Sequence, residues 1–241
     1  MKVLITGCAR SGTSLLLYVS KYFDNTYVPT NDEYMPTKIY DKNCRFYLSY
    51  PKDKILVIKR PRYCLNSKCY ESILDILLMD YKIIFLIRDG RDVLVSMHPP
   101  FKNKYHVTPE RWVEVNEDAK KYLSNDNVLL VKYECFVTDT KTELDKMAHF
   151  LGIGYNKKYN EFYKYIDDKE WMKHGLGFKG LRPIQSDSIG NWKLSEHKDR
   201  MQEIINSSYI ERICDLLIFF GYEKDNKWIK KYEQLFRIIR K

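Results

Sequence analysis

The chain has 241 residues, of which 44% are hydrophobic and 15% aromatic, so it can bury the core of one large domain and is not an intrinsically disordered chain. Its 41 basic residues exceed its 32 acidic ones by nine, which favours an anionic partner without separating a nucleotide from a nucleic acid or a membrane. The six cysteines follow neither a zinc-ligand nor a disulfide-framework spacing, and we expect free thiols. With no leader sequence and no apolar stretch of membrane-spanning length, we expect a cytoplasmic protein without stable membrane insertion.

Short apolar runs alternate with amphipathic stretches along the chain, which is typical of a parallel sheet covered by helices. We therefore expect an α/β fold with a P-loop-like central parallel β-sheet flanked by helices. The predicted strands are Val3 to Ile5, Ile55 to Ile58, Ile83 to Ile87 and Val128 to Val131. The predicted helices are Ser14 to Phe23, Ser72 to Met79, one that begins over Asp92 to Met97, Trp112 to Leu123, Lys141 to Leu151, and Met201 to Phe220.

The last third of the chain changes in character twice. Residues Tyr155 to Arg182 lack a regular period and carry several glycines, so we expect a functional loop region there. A basic helix over residues 225–241 follows, and its apolar face predicts packing on its own domain rather than contact with a membrane or a partner. That face consists of Trp228, Tyr232, Leu235, Phe236 and Ile239. No repeat or linker is visible, so we expect a single domain over residues 1–241, with the oligomeric state left open.

The first predicted strand leads into a loop of sequence GCARSGTS and then into a helix. In this setting backbone N–H groups and a helix N-terminus can hold a phosphate. Gly7 and Gly12 would allow the tight turn, and we expect Thr13 and Ser14 to cap the helix. The lysine of a Walker A loop is absent, and the cation is Arg10 instead, which disfavours an ATPase or a kinase. The alternative is a glycine-rich turn that only caps the helix.

A second basic element follows the third predicted strand. Arg88 comes directly after this strand, and the carboxyl ends of parallel strands are where ligands bind. Ser96 is expected about one turn inside the next helix, on a face that looks back toward Arg88. A guanidinium and a hydroxyl that converge there would hold a second phosphate. The alternatives are a surface ion pair of Arg88 with Asp89 or Asp92, and an ordinary helix serine.

Together these two loops resemble those of the PAPS-dependent sulfotransferases, in which PAPS is 3′-phosphoadenosine 5′-phosphosulfate, the sulfuryl donor. The family's first loop has the form (Lys/Arg)-Ser-Gly-Thr-(Ser/Thr), and its second has the form Arg-(Asp)-x-(Arg)-Asp-x-x-x-Ser. The motif style is closest to the bacterial and protein-tyrosine branches. The resemblance implies that the 5′ end of the nucleotide is held by Arg10, Ser11, Gly12, Thr13 and Ser14. It implies in the same way that Arg88 and Ser96 hold the 3′-phosphate.

Further matches extend this resemblance along the chain. The segment VKYE, which contains Tyr133, resembles the family's Arg-Tyr-Glu element at a strand end and places Tyr133 in the nucleotide site. The segments HFLG (149–152) and FGY (220–222) resemble the family's Phe-Leu-Gly helix end and its closing Gly-Tyr. The late nucleotide-binding loop is matched by Arg182, Gly190, Trp192 and Lys193. For Trp192 a plain core position is the alternative.

The resemblance also implies catalytic groups. Lys59, expected at the end of the second strand, matches the catalytic lysine of the family and would stabilise the leaving oxygen together with Arg10. The alternative is a solvated lysine. Cytosolic-type members carry a histidine two residues after this lysine, but Pro61 stands here. Other branches use a glutamate soon after the first helix, and Glu33 falls near that place, with Asp32 as the second candidate base. An exposed loop carboxylate is the alternative, and His98 is expected to be structural or to line the acceptor rim.

We therefore expect an enzyme that transfers a sulfuryl group from PAPS to a hydroxyl or amine of a carbohydrate or another small acceptor, releasing PAP, the desulfated nucleotide, without a metal. Aromatic and lysine residues that suit an acceptor occur within Tyr34 to Tyr50, Pro99 to Tyr105 and Tyr155 to Gly180. One alternative is a P-loop kinase of a nucleoside or small metabolite. The other is a non-catalytic nucleic-acid-binding module, but the basic residues are dispersed and no recognition motif is present, so we expect no nucleic acid as partner.

Overall fold

The computed structural model describes residues 1–29, 33–37, 50–98, 101–164 and 182–238. The candidate base Asp32 and much of the three expected acceptor segments lie outside these residues. The strands are β1 (Lys2–Cys8), β2 (Thr26–Tyr27), β3 (Ile55–Arg62), β4 (Tyr81–Ile87), β5 (Met97–His98), β6 (Phe101–Tyr105) and β7 (Val128–Lys132). The helices are α1 (Thr13–Ser20), α2 (Ile73–Leu78), α3 (Gly90–Leu94), α4 (Pro109–Lys120), α5 (Tyr133–Thr138), α6 (Thr140–Leu151), α7 (Lys198–Ile205), α8 (Ile210–Phe219) and α9 (Trp228–Ile238).

The centre of the fold is a five-stranded sheet of order β2-β3-β1-β4-β7, in which every pair of neighbouring strands is parallel. This confirms the expected α/β class with a central parallel sheet and flanking helices. Gly7 near the end of β1 lies opposite Pro61 of β3 and Leu86 of β4. The carboxyl ends of the three central strands therefore meet at one edge of the sheet, where ligands bind in folds of this class.

Both faces of the sheet are covered, which explains why the strands are apolar at nearly every position. Val3 and Ile5 of β1 are fully buried on the face that α1, α5 and α6 cover. Leu4 points to the opposite face and is 1% exposed, in a cluster that includes residues of α4, α7 and α8. Trp112 of α4 is also completely buried in this second cluster. The central strand is thus packed on both sides, and the loop at its end starts from a rigid base.

For two of the predicted helices, the structure gives a reason why the bounds differ. The helix expected over Met201 to Phe220 is divided into α7 and α8. The Ser207 hydroxyl donates to the carbonyl of Ile204 at 2.7 Å, close to the end of α7, and this local hydrogen bond competes with continuation of the helix. The helix expected over Asp92 to Met97 begins earlier, at Gly90, because the Asp89 carboxylate caps it by accepting a hydrogen bond from the Arg91 N–H.

Four short elements were not predicted. Strand β2 has two residues and adds to the edge of the sheet beside β3. Strands β5 and β6 form an antiparallel pair directly after α3. Helix α5 follows β7 without a loop. Strands β2 and β5 and helix α5 are too short to produce a periodic signal, since periodicity needs a window of about 11 residues for a helix and 4 for a strand.

The C-terminal helix α9 contributes two described aromatic residues to the interior. Trp228 and Tyr232 are 3% and 4% exposed, and both rings contact Trp192, with ring centroids 5.9 and 5.6 Å away. Within the described ranges, no helix combines the length and the apolar character that crossing a bilayer would require.

Candidate active site

The loop after β1 needs glycine at two positions. Gly7 has φ +144°, and a Cβ there would lie 2.2 Å from the carbonyl oxygen of Leu86. Gly12 has φ +94°, and its Cβ would lie 2.6 Å from the ring of Tyr133. Gly12 is also the residue that precedes α1 as its N-cap, and it makes no side-chain cap. The expectation that Thr13 and Ser14 cap this helix was wrong, because both already lie inside α1 and their N–H groups belong to its first turn.

Two arginines meet beside this loop. Arg10 adopts the left-handed conformation with φ 71°, and its Nε donates to the hydroxyl of Ser96 at 2.8 Å. Arg88, directly after β4, donates from Nη1 to the Arg10 carbonyl at 3.0 Å. Burial lowers the pKa of Arg10, and the positive charge of Arg88 lowers it further. Two neighbouring, largely buried guanidinium groups favour an anion between or beside them.

Ser96 reaches this site from a position that differs from the expected one. Helix α3 ends at Leu94, so Ser96 follows the helix instead of lying inside it. Its carbonyl accepts a hydrogen bond from the N–H of His106, the residue that directly follows β6. The close pairing of β5 with β6 takes the chain out of the helix and leaves the Ser96 hydroxyl facing Arg10.

Lys59 lies inside β3 rather than at its end, because this strand continues to Arg62. It is 4% exposed, so it is not a solvated lysine. Its register neighbour on β1 is Ile5, and its Nζ donates to the hydroxyl of Ser14 in the first turn of α1 at 2.9 Å. A buried ammonium group is therefore directed at the beginning of the phosphate loop helix.

Glu33 is brought next to Lys59 by the backbone. The two residues form an isolated parallel bridge, which extends the edge of the sheet beyond β2. The Glu33 carboxylate is exposed and accepts a hydrogen bond from the hydroxyl of Tyr63 at 3.3 Å. Burial raises the pKa of Tyr63, and the charge of Glu33 raises it further. Tyr63 therefore remains a protonated donor toward this carboxylate at neutral pH.

Tyr133 lies between the two basic elements. Tyr133 is 8% exposed, and its ring lies over Gly12. The Arg88 guanidinium lies over the same ring, 4.5 Å from its centroid. Such a contact holds the guanidinium plane through cation–π attraction. Tyr133 thus packs against both the phosphate loop and Arg88, which fixes the distance between them.

The loop at residues 186–193, called the late segment below, packs on α3. The Ser188 carbonyl accepts from Arg88 Nη2 at 2.6 Å. The N–H groups of Gly190 and Trp192 donate to the two carboxylate oxygens of Asp92 at 2.8 and 3.0 Å. The indole of Trp192 points into the core, 7% exposed, where it contacts Arg91, Trp228 and Tyr232. Lys193 Nζ lies 5.2 Å from the Trp192 ring, and Arg182 pairs with Asp187 at 3.0 Å.

Polar atoms that an anionic ligand would require are already buried here without a protein partner. The hydroxyl of Ser11 is fully buried and makes no hydrogen bond to any residue that the structure describes, and the same holds for Nε of Arg88. An unsatisfied buried donor costs about 1–3 kcal/mol, so such groups are retained where a ligand completes them. The side chains at this edge of the sheet therefore fit the phosphate groups of a nucleotide.

A family model described as a sulfotransferase domain matches residues 1–173, which is more than half of the chain. The chain belongs to the sulfotransferase family. A curated relative, the 3-beta-hydroxysteroid sulfotransferase of Cavia porcellus, is 27% identical over 142 residues, which cover 46% of this chain and 49% of the relative. The chain thus spans about half the length of the curated relatives that it matches.

Solved structures of sulfotransferases share the fold. The sulfotransferase domain of a Synechococcus olefin synthase superposes with a TM-score of 0.60 at 16% identity, over 92% of this chain and 95% of that one. A mouse sulfotransferase solved in complex with PAP gives a TM-score of 0.53 at 16% identity, over 88% of this chain and 87% of the other. The late segment of this chain lies beyond the residues that the family model matches.

Two acidic residues of this chain accept hydrogen bonds that connect the elements around the site, but they were not identified as site residues from the sequence. Asp92 was considered only as an ion-pair partner of Arg88, from which it is 4.0 Å away, and its two N–H donors come from residues about 100 positions later. Glu134 accepts from the Asp89 N–H and from the Tyr222 hydroxyl, both at 2.9 Å. Both carboxylates lie within the matched motifs, and this position could have identified them as candidate site residues. Their hydrogen-bond partners are distant in sequence and could be identified only from the structure.

The buried carboxyl of Glu134 predicts a pH-dependent stability difference. Burial raises its pKa above the ordinary value, although two hydrogen bonds oppose this effect. Its contribution to stability is therefore fully present below the pKa of the unfolded chain, about 4.3, and is lost as pH rises through the higher pKa of the folded state. Glu134→Gln cannot titrate, so the free energy of unfolding of the wild type, relative to this variant, should fall as pH rises from about 4 toward neutral pH.

Urea denaturation of both proteins across this range would measure the difference. Asp92, whose pKa burial also raises, is present in both proteins and cancels in the comparison. A difference that stays constant or increases with pH would contradict the argument.

Proposed function

We propose that this chain transfers a sulfuryl group from PAPS to a hydroxyl or amine of a small acceptor and releases PAP. The observation that carries the proposal is the junction of Arg10 and Arg88 at the carboxyl edge of the sheet. The Ser11 hydroxyl is buried beside it and has no hydrogen-bond partner in the part of the chain that the structure describes. Arg10 bonds Ser96 and Arg88 bonds Arg10, so the two motif loops form one polar cluster. A nucleotide with phosphates at both its 5′ and 3′ positions requires two such loops close together.

Under this proposal each loop holds one end of the nucleotide. Residues Arg10 to Ser14 would bind the 5′ end through their N–H groups and hydroxyls, because the beginning of α1 favours negative charge. Arg88 and Ser96 would bind the 3′-phosphate, and Tyr133 would hold the Arg88 guanidinium in place. We assign the late segment to this end of the site because its Ser188 carbonyl contacts Arg88. The residues assigned with it are Gly190, Trp192 and Lys193, together with Arg182, which pairs with Asp187 of the same segment.

PAPS supplies an activated sulfuryl group, and the residues of the chain supply positioning and charge. Lys59 and Arg10 would stabilise the negative charge that grows on the leaving phosphate oxygen, which is the principal contribution in transfers of this kind. Glu33 would accept the proton of the acceptor hydroxyl as general base, because its backbone pairs with Lys59. The Glu33 carboxylate, oriented by Tyr63, and the Lys59 ammonium group thus come from two residues whose backbones are paired. We propose that no metal takes part.

The acceptor in this proposal is a carbohydrate or another small molecule with a free hydroxyl. The matched relative is a hydroxysteroid sulfotransferase, so a 3-hydroxysteroid belongs in the same screen as an oligosaccharide, a phenol and an amino sugar.

We also propose one domain over residues 1–241. Residues of α7, α8 and α9 support this, since they pack in the same cluster as β1 and β4.

Thermal unfolding with and without PAP tests the nucleotide assignment. PAP at about a hundred times its dissociation constant should stabilise the wild type by roughly 2.7 kcal/mol. Arg88→Ala removes charge-assisted hydrogen bonds to the 3′-phosphate, which should weaken PAP binding by about 2 kcal/mol, or roughly 30-fold. At the same PAP concentration the stabilisation should therefore fall from roughly 2.7 to about 0.9 kcal/mol, so the shift in Tm should fall to about a third.

Arg62→Ala is the matched control, because Arg62 is 5% exposed and also forms a buried ion pair, with Asp118 at 2.6 Å. Both variants should unfold at lower temperature, but only Arg88→Ala should show the roughly threefold smaller stabilisation by PAP. A parallel sample with ATP and Mg²⁺ separates the kinase alternative: stabilisation by ATP with Mg²⁺ and none by PAP would reject the sulfotransferase proposal. Sulfuryl transfer that survives EDTA would support the metal-free mechanism.

A further inference from the structure

The late segment is joined to α3 by hydrogen bonds that centre on Asp92. Its carboxylate is 1% exposed and accepts one backbone N–H on each oxygen, from Gly190 and from Trp192. Burying a carboxylate is unfavourable unless hydrogen bonds and a nearby cation compensate it, and burial does raise the pKa of Asp92. This buried carboxylate lies where the late segment contacts α3, the helix after Arg88.

The same contact determines where Arg88 lies. Nη2 of Arg88 is 4.0 Å from the Asp92 carboxylate and donates to the Ser188 carbonyl at 2.6 Å, while Nη1 donates to Arg10. Two guanidinium donors are thus used for the late segment and the phosphate loop, and Nε is left without a partner among the described residues. A shift of the late segment would release the Ser188 carbonyl and with it the orientation of Arg88.

Arg91, the neighbour of Asp92, contacts the late segment through the side chain of Trp192. Its guanidinium lies 4.0 Å from the centroid of the Trp192 ring and is paired with Asp89 and Glu223 at 2.7 and 2.5 Å. Consecutive residues of one helix therefore hold the backbone and the indole of the same loop. This arrangement restricts the loop far more than a single contact could.

We propose that Asp92 is a positioning residue for the nucleotide: it fastens the late segment against α3 and so orients Arg88 toward the 3′-phosphate. This role rests on the proposed function, in which Arg88 binds that phosphate. Asp92 touches neither nucleotide nor acceptor and acts through Arg88 and the backbone of residues 188–192. Its effect should therefore be on recognition of the 3′-phosphate rather than on the 5′ end of the nucleotide.

Asp92→Asn tests this role, because asparagine has nearly the same shape but places an NH₂ group against one of the two N–H donors. Isothermal titration should show PAP binding weakened about 10- to 100-fold, the loss expected for a hydrogen bond to a charged group. Binding of adenosine 5′-monophosphate, which lacks the 3′-phosphate, should change by less than about threefold. The preference for PAP over the monophosphate is a readout that general destabilisation would not alter selectively.

Asp118→Asn provides the matched control, since Asp118 is 5% exposed and accepts hydrogen bonds from Arg62 and Tyr70. It should lower the Tm without changing the PAP preference. Hydrogen exchange of a peptide that covers residues 186–194 should be faster in Asp92→Asn than in the wild type without any nucleotide, because one of the two amides of Gly190 and Trp192 loses its acceptor.

Gly190→Ala and Gly190→Asn approach the same contact from the surface if Asp92→Asn fails to fold. A Cβ at Gly190 meets nothing within 4 Å, but its φ of +78° is unfavourable for alanine and better tolerated by asparagine. Alanine should thus reduce the PAP preference and asparagine should retain more of it. Unchanged PAP preference in Asp92→Asn, or in Gly190→Ala where that is the variant measured, would overturn the role of Asp92. Absence of PAP binding by the wild type would instead reject the proposed function, and this role with it.

Discussion

Glu33→Gln should reduce kcat by about 10²- to 10⁴-fold with little change in PAP affinity, because it removes the general base but leaves the nucleotide site intact. The backbone of Glu33 pairs with that of Lys59, and its carboxylate accepts a hydrogen bond from Tyr63. Glutamine keeps the size of the side chain and an oxygen for Tyr63, but it cannot take a proton from the acceptor. PAP release with the acceptor identified by the screen would measure kcat, and titration with PAP would measure affinity.

Chemical rescue sharpens this test. Glu33→Ala leaves space beside the Tyr63 hydroxyl, and formate should restore part of the lost activity if the missing group is a proton acceptor. Glu117→Gln is the control, because Glu117 is an exposed carboxylate paired with Arg212 on a different part of the surface. Activity of Glu33→Gln within about twofold of Glu117→Gln would reject Glu33 as the base.

Lys59→Met should lower kcat by about 10²- to 10³-fold, the loss typical of removing one group that stabilises charge in the transition state. Methionine preserves the length and the apolar stem of the side chain, so packing inside β3 changes little. The ammonium group that now donates to Ser14 at 2.9 Å would be absent when charge develops on the leaving oxygen. The KM for PAPS should rise much less than kcat falls, because the phosphate loop and Arg88 remain.

Lys82→Met offers a matched control on β4, which is separated from β3 by β1 in the sheet. Lys82 is also a strand lysine whose Nζ donates to a carbonyl, that of Phe150 at 2.8 Å, but it lies near the beginning of β4, away from the carboxyl edge. The two variants should differ in kcat by about two orders of magnitude at similar Tm. Equal activities would show that the charge of Lys59 is not used in catalysis.

The α/β class and the positions of the main strands could be predicted because they depend on local apolar patterns. The strands around Val3, Ile55 and Ile83 are buried on both faces of the sheet, and the edge strand around Val128 is partly buried, so each contains a continuous apolar run. The phosphate loop was equally visible, since only glycine suits the backbone at Gly7 and Gly12. These features need only neighbouring residues to specify them.

The bounds of short elements were not predictable in the same way. Ser96 was expected inside a helix, yet the chain leaves the helix after Leu94 to form the β5–β6 pair. The single helix expected at Met201 to Phe220 is divided where Ser207 bonds the backbone. A serine inside an apolar period is compatible with both outcomes, and only packing against the rest of the molecule decides between them.

The sequence by itself determined that this protein has a parallel sheet with a basic, glycine-rich loop at the end of its first strand, because burial on both faces and positive φ each restrict the residue types directly. The tertiary structure alone decided that Lys59 is buried and directed at Ser14, that Arg10 reaches Ser96, and that Asp92 receives the late segment. These contacts join residues between 45 and 100 positions apart. Their geometry depends on strand order and crossover connections, and no local pattern in the chain encodes these.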